Sequence, residues 1–153
     1  MSTEPNNGKA QEQELWDRVS TTEGAERAEV LDELSHIAYK KDNFIECLQL
    51  VDTSIEIYFK QGGLDIYLKE IMHLYHGKAH CFENLKRHED AAKTHEELAM
   101  MKFADNDFEA QAEELRAAGR AWYRIEEWRK SRDNHIAAKA ITYPEISTIT
   151  MGI

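Results

Sequence analysis

The chain has 153 residues and a formal net charge of −10, and hydrophobic residues make up 42% of it. This length and composition suit one globular domain with its own core. The negative charge disfavours binding to nucleic-acid phosphates and to anionic membrane surfaces, and it favours a protein partner with a basic segment.

Apolar residues recur in steps of three and four, glycine and proline are scarce, and helix-forming residues are plentiful. Together these features predict an all-α protein. Residues 1–8 are polar and are predicted to be disordered. Thr21 and Thr22 are predicted to cap the second helix, and Pro144 to stop the last one. We expect a single domain over residues 9–143 and an extended tail over 144–153. The first predicted helix spans about 9–20, and the second runs from the Thr21-Thr22-Glu23 cap to about 41. The other five span about 43–60, 64–85, 88–103, 107–126 and 127–141.

A pattern of residue types recurs three times, around the anchors Phe44, His88 and Trp128. Residues that are mostly small return nine positions before, three after and ten after each anchor. A repeat of this length is typical of stacked helical hairpins. In chain order these recurring residues are Ser35, Cys47 and Ser54, then Ala79, Ala91 and Leu98, then Gly119, Ser131 and Ala138.

This pattern resembles the tetratricopeptide (TPR) repeat over about residues 27–144. The third repeat matches best, at Gly119, Trp122, Tyr123, Trp128, Ser131 and Ala138. The anchors lie 44 and 40 residues apart, whereas the ordinary repeat has about 34 residues, so the repeats resemble the elongated members of the family. The resemblance implies a right-handed stack of three antiparallel hairpins, with an extra N-terminal helix before it.

In the family, the first helix of each hairpin lines a concave groove that often binds an extended peptide. The resemblance therefore implies a polar and aromatic groove that binds a peptide or helix of another protein. Its arginines suit a carboxylate, and its acidic residues suit a basic side chain. The implied lining residues are Glu29, Asp32, His36 and Tyr39, then His73, His76, His80 and Glu83, then Arg116, Arg120, Tyr123 and Arg124.

The histidines of this surface allow two further interpretations. His73, His76 and His80 share one helix face and could form a metal site. His76 and His80 have the spacing at which two imidazoles can reach one zinc ion. Alternatively, they could change charge near neutral pH. His95 and His135 occupy equivalent positions of successive repeats and are predicted to be packed between helices. The tryptophans Trp16, Trp122 and Trp128 are predicted to lie in the core.

No motif of the chain predicts catalysis. Gly-rich phosphate loops and the Gly-x-Ser-x-Gly elbow do not occur in the sequence. Cys47 and Cys81 are predicted to be reduced core thiols. The polar start of the chain does not resemble a signal peptide, and no apolar run approaches the length of a membrane span.

These features predict a cytoplasmic, non-catalytic adaptor or regulator without a cofactor. The alternative is a self-assembling structural component that associates through the end faces of the stack or through the tail.

Overall fold

The computed structural model describes residues 4–144, and within that range every regular element is a helix. The prediction of an all-α fold is therefore confirmed. The chain divides into two compact units, Met1–Cys81 and Phe82–Ile153. The prediction of one domain over residues 9–143 stays a prediction. The helices are α1 (Glu4–Thr21), α2 (Gly24–Lys40), α3 (Phe44–Lys60), α4 (Leu64–Asn84), α5 (His88–Ala104), α6 (Phe108–Arg124) and α7 (Trp128–Thr142).

The predicted boundaries of α2 to α7 agree with the structure to within a few residues. The helix predicted over about 9–20 is present as α1, but it begins earlier than predicted, at Glu4. The predicted disorder of residues 1–8 stays a prediction. Residues 1–3 and 145–153 lie outside the described residues, and with them nearly all of the predicted tail. Only Pro144 of the tail is described, and its backbone is helical.

Thr21, the last residue of α1, and Thr22, which follows it, both hydrogen-bond to α1 and not to α2. The hydroxyls of Thr21 and Thr22 both donate to the carbonyl oxygen of Arg18, at 3.3 and 2.6 Å. The N-cap of α2 is Glu23, whose side chain makes no capping hydrogen bond. The prediction that a threonine caps α2 was therefore wrong, although the position of the break was right.

Consecutive helices pack against each other within each unit. In the first unit α1 packs on α2 and α2 on α3, and in the second α5 packs on α6 and α6 on α7. At Gly119, even a methyl group would lie 2.7 Å from Nε2 of His135 on the neighbouring helix. All nine positions that recur around the anchors are buried: Ser35, Cys47, Ser54, Ala79, Ala91, Leu98, Gly119, Ser131 and Ala138.

Four links between helices share one turn geometry. In each link a residue with positive φ follows the helix. The backbone amide of the residue after it donates to the carbonyl oxygen of the residue five positions before that amide. These bonds are 2.9–3.0 Å long and satisfy carbonyl groups that the helix end would leave unpaired. The left-handed position is usually glycine. Here it is occupied by Asp42 (φ 59°), Lys86 (60°), Asn106 (59°) and Glu126 (63°).

Replacing Glu126 with glycine is expected to raise the free energy of unfolding by about 0.5–1 kcal/mol. Left-handed backbone costs a residue with a Cβ atom about 1–2 kcal/mol, and the greater freedom of glycine in the unfolded chain offsets part of that gain. Urea unfolding measures the difference. Asn106→Gly is the matched control, because asparagine tolerates this conformation and should gain less. Equal effects of the two substitutions would contradict the explanation.

None of the helices in the described part of the chain combines the length and the apolar character that a membrane span requires.

Candidate functional site

The first unit contains an open pocket between α2 and α4, with a volume of about 280 Å³. Its floor is formed by apolar side chains, among them Val51 and Leu74. Its rim is polar and consists mainly of residues that the sequence placed in the groove. These predicted residues are Asp32, His36, Tyr39, His73, His76 and His80.

Three of the rim residues converge closely. Asp32 and His36 stand four residues apart on α2 and therefore share a helix face, and His73 reaches them from α4. The two Nε2 atoms of His36 and His73 are 3.2 Å apart. The carboxylate of Asp32 lies beside both rings, with Oδ1 3.5 Å from Nε2 of His36 and Oδ2 3.4 Å from Nε2 of His73. We call Asp32, His36 and His73 the interhelix cluster.

Ser35 contacts Asp32 on the buried side of the interhelix cluster. Ser35 is 3% exposed, and its hydroxyl lies 2.6 Å from the Asp32 carbonyl oxygen and 3.3 Å from Oδ1 of the Asp32 side chain. The imidazole side chains are each 56% exposed, and the Asp32 side chain is 25% exposed. The cluster therefore has a fixed inner side and an outer side that solvent reaches.

The histidines of α4 do not form one compact set. His73 belongs to the interhelix cluster, whereas His76 and His80 stack on each other with ring centroids 6.5 Å apart. Among the described residues, the group whose ligand atoms could meet at one metal ion consists of Asp32, His36 and His73. The set His73, His76 and His80, considered from the sequence as an alternative, is not such a group. The predicted set of three histidines was wrong because the imidazole that meets His73 is His36, which lies on α2 and not on α4.

The remaining predicted residue of the first unit, Glu29, is exposed and lines a neighbouring pocket of about 290 Å³. This pocket shares Asp32 and His73 with the first one, and Glu70 and Lys69 also line it. Three carboxylates and one ammonium group surround this side of the interhelix cluster, so the local charge favours a cation.

The two cysteines are free and buried, as predicted. Cys47 lines the floor of the α2–α4 pocket, and Cys81 is its neighbour. The interaction with Cys47 and burial raise the pKa of the Cys81 thiol above its usual range. A raised pKa makes a thiol a poor source of thiolate.

In the second unit, Glu83 takes part in a buried ionic group instead of facing only solvent. Nε2 of His95 lies 2.6 Å from Oε1 of Glu83, and Nδ1 lies 2.7 Å from Oε2 of Glu114. The His95 side chain is 8% exposed, that of Glu114 10% and that of Glu83 35%. We call these three residues the buried triad.

Both ring nitrogens of His95 face carboxylate oxygens, which favours the doubly protonated imidazolium. Burial by itself lowers the pKa of His95, but the hydrogen bonds and charges of Glu114 and Glu83 outweigh it and raise the pKa to about 9. His95 is therefore a cation at neutral pH. The prediction that it packs between helices and forms hydrogen bonds is confirmed.

The predicted arginines of the second unit occupy separate places. Arg116 pairs with Glu113 and donates to Oγ1 of Thr142 at 2.7 Å. Arg124 lines an open polar pocket of about 550 Å³ together with Glu83. Arg120 is exposed, as is Tyr123, whose ring packs edge-on against Trp128 at 4.8 Å.

Two core predictions for α7 were wrong. His135 is exposed although it occupies the same repeat position as His95, and Trp128 is 54% exposed. The reason is that α7 is the last helix of the described region, so no later helix within residues 4–144 covers its outer face. With Tyr123 and Ile136, these side chains line an open cavity of about 510 Å³. Self-association through such an end face stays a prediction.

Sequence reasoning missed the role of Glu114. This residue is buried, and the sequence analysis assigned it no role. A signal was present, because Glu114 precedes the buried Ala118 by four residues and Ala121 by seven. This spacing places all three on the core face of α6. A carboxylate on a core face predicts a buried partner.

No family model matches this chain, and no curated protein matches it at a significant level.

Proposed function

We propose that this protein is a non-catalytic interaction module of the tetratricopeptide type, which binds a peptide segment of a partner protein in the α2–α4 pocket. The observation that carries the proposal is the pocket itself. Six residues assigned to a binding surface by their repeat position surround a single cavity.

The chemistry of the pocket suits a short peptide. Apolar side chains such as Leu74 form the floor and can receive one apolar side chain of the peptide. The imidazoles and the Tyr39 hydroxyl on the rim are hydrogen-bonding groups suited to a peptide backbone. Asp32 and the net charge of −10 favour a peptide with a basic residue.

The repeat assignment is supported by packing and by turn geometry. Nine equivalent positions are buried, and four helix links use the same left-handed turn. The contact of His36 on α2 with His73 on α4 brings together the first helices of two successive predicted hairpins. This neighbourhood is what a stack of hairpins requires.

Selection from a random peptide library displayed on phage tests the proposal. We expect the full-length chain to enrich peptides with a common basic and apolar pattern. The double variant Tyr39→Ala, His80→Ala should bind the enriched peptides at least about tenfold more weakly, because it loses hydrogen-bonding and apolar contact on the rim.

Both replaced side chains are at least partly exposed, so the variant should keep the helical circular dichroism of the wild type. The control is His135→Ala, an exposed histidine of the second unit that does not line this pocket. Selection of no peptide, or equal binding by the double variant and the control, would show that the pocket is not a peptide site.

A further inference from the structure

We propose that the interhelix cluster of Asp32, His36 and His73 is a binding site for one divalent transition-metal ion, with zinc as the ion that fits best. This inference does not depend on peptide binding. It rests on the types of ligand, on their distances, on the support of the carboxylate and on access from solvent.

The residue types are those that zinc selects. Two imidazole nitrogens and one carboxylate form a mixed nitrogen and oxygen set, which suits zinc and iron(II) and does not suit magnesium or calcium. A set of three protein ligands leaves one tetrahedral position for water or for a group of a bound molecule. The α2–α4 pocket supplies the space for that fourth ligand.

The distances are close to those of a tetrahedral centre. Zinc bonds of about 2.0–2.1 Å at tetrahedral angles place neighbouring ligand atoms about 3.3 Å apart. The two Nε2 atoms are 3.2 Å apart, and the two oxygens of Asp32 each face one ring, Oδ1 at 3.5 Å from His36 and Oδ2 at 3.4 Å from His73. One ligand atom from each of the three residues lies within 4.8 Å of the other two, so a small rotation of the carboxylate would bring one oxygen to the ion.

A metal ion between the facing nitrogens also engages more of their lone pairs than a hydrogen bond between the two rings does. A hydrogen bond between the rings of His36 and His73 uses the Nε2 lone pair of only one ring. A metal ion at the centre accepts the Nε2 lone pairs of both neutral rings. Its two positive charges also offset part of the negative charge of Asp32 and of the acidic neighbours Glu29 and Glu70.

The surroundings resemble those of a metal ligand rather than of an isolated surface carboxylate. Ser35 is buried beneath Asp32, and its Oγ lies 3.3 Å from Oδ1. Such outer contacts orient ligands in metal sites, and their loss typically lowers metal affinity about 10–100-fold. Because both imidazoles are more than half exposed, an ion can enter without local unfolding.

The test is a titration of the chelator-treated, full-length protein with zinc chloride, followed by calorimetry. We expect one zinc ion per chain with submicromolar affinity, unchanged by an excess of magnesium. Cobalt(II) should give the intense visible absorption of a four-coordinate site. His36→Ala and His73→Ala should each lower zinc affinity by more than about 100-fold, and Ser35→Ala by about tenfold.

His80→Ala and His135→Ala are the controls and should bind zinc as the wild type does. His80 lies on the same helix as His73 and lines the same pocket, so it separates the interhelix cluster from a histidine stripe on α4. Millimolar or non-stoichiometric zinc binding would overturn the proposal. Loss of binding in His80→Ala with retention in His36→Ala would also overturn it.

The metal test and the peptide test can fail separately. The peptide experiment replaces Tyr39 and His80 and measures no metal, whereas the zinc titration contains no peptide. Zinc binding without peptide selection would leave the metal site in place and remove the proposed function. The reverse result would remove only the metal site.

Discussion

Replacing His95 with glutamine is expected to lower the free energy of unfolding by about 3 kcal/mol. Removing one member of a buried ionic group typically costs about 3–5 kcal/mol, because the remaining charges stay buried without a counter-ion. The lower end applies here because Glu83 is 35% exposed and water partly solvates it. Glutamine keeps a similar size and some hydrogen-bonding capacity, so the loss reports mainly the missing positive charge.

The matched control is His135→Gln. His135 stands at the same repeat position as His95, yet it is exposed, so its substitution should cost less stability than that of His95 and reports only the loss of its packing against Gly119. Urea unfolding followed by circular dichroism measures both variants. Similar small effects of the two substitutions would show that the buried triad contributes nothing to the stability of the second unit.

The carboxylates of the buried triad should rank by their burial. Glu114 is 10% exposed and Glu83 35%, so Glu114→Gln should cost more stability than Glu83→Gln. The same unfolding measurement gives this order. A reversed order would mean that solvent does not screen the Glu83–His95 pair as its exposure implies.

Stability is expected to decrease as pH rises from about 6.5 to about 9, by on the order of 3 kcal/mol from His95 alone. The pKa of His95 is raised from 6.5 to about 9 in the folded protein. Below the unfolded pKa, both states carry the proton, and the ionic contribution is fully present. Between the two values only the folded state binds it, so the contribution falls as pH rises and is lost above the folded pKa.

The difference between wild type and His95→Gln isolates this effect, since the other titrating groups are common to both proteins. Urea unfolding at several pH values between 6 and 10 should show the two curves converging as pH increases. The groups that face His95 are Glu83 from α4 and Glu114 from α6, and both favour its protonated form. A stability difference independent of pH would contradict a raised pKa.

Much of the helical organisation could be predicted because it depends on local information. Apolar spacing of three and four residues fixes which face of a helix is buried, and polar breaks such as Asp105-Asn106-Asp107 end one helix and begin the next. Asp107 accepts a hydrogen bond from the amide of Ala110 at the start of α6, as expected of a cap. The resemblance to the tetratricopeptide repeat selected six residues that line one pocket, although their binding role stays a prediction.

Other features depend on contacts between helices that are distant in sequence. The pairing of His36 with His73 requires the relative register of α2 and α4, so the sequence suggested only the histidines within α4 as a possible metal site. His95 and His135 occupy the same repeat position, so both were predicted to pack between helices, although His95 is buried and His135 is exposed. His95 is covered by Glu114 of α6, whereas within residues 4–144 no later helix covers His135.

By itself, the sequence determined the all-α class, the positions of the later helices and the small residues at their contacts, because these follow from the periodicity of a single chain segment. The tertiary structure decided which charged groups meet. It joined Asp32, His36 and His73 at one point and buried His95 between two carboxylates. The physical reason is that electrostatic and ligand geometry depends on distances of a few ångströms between helices, and helical periodicity does not encode those distances.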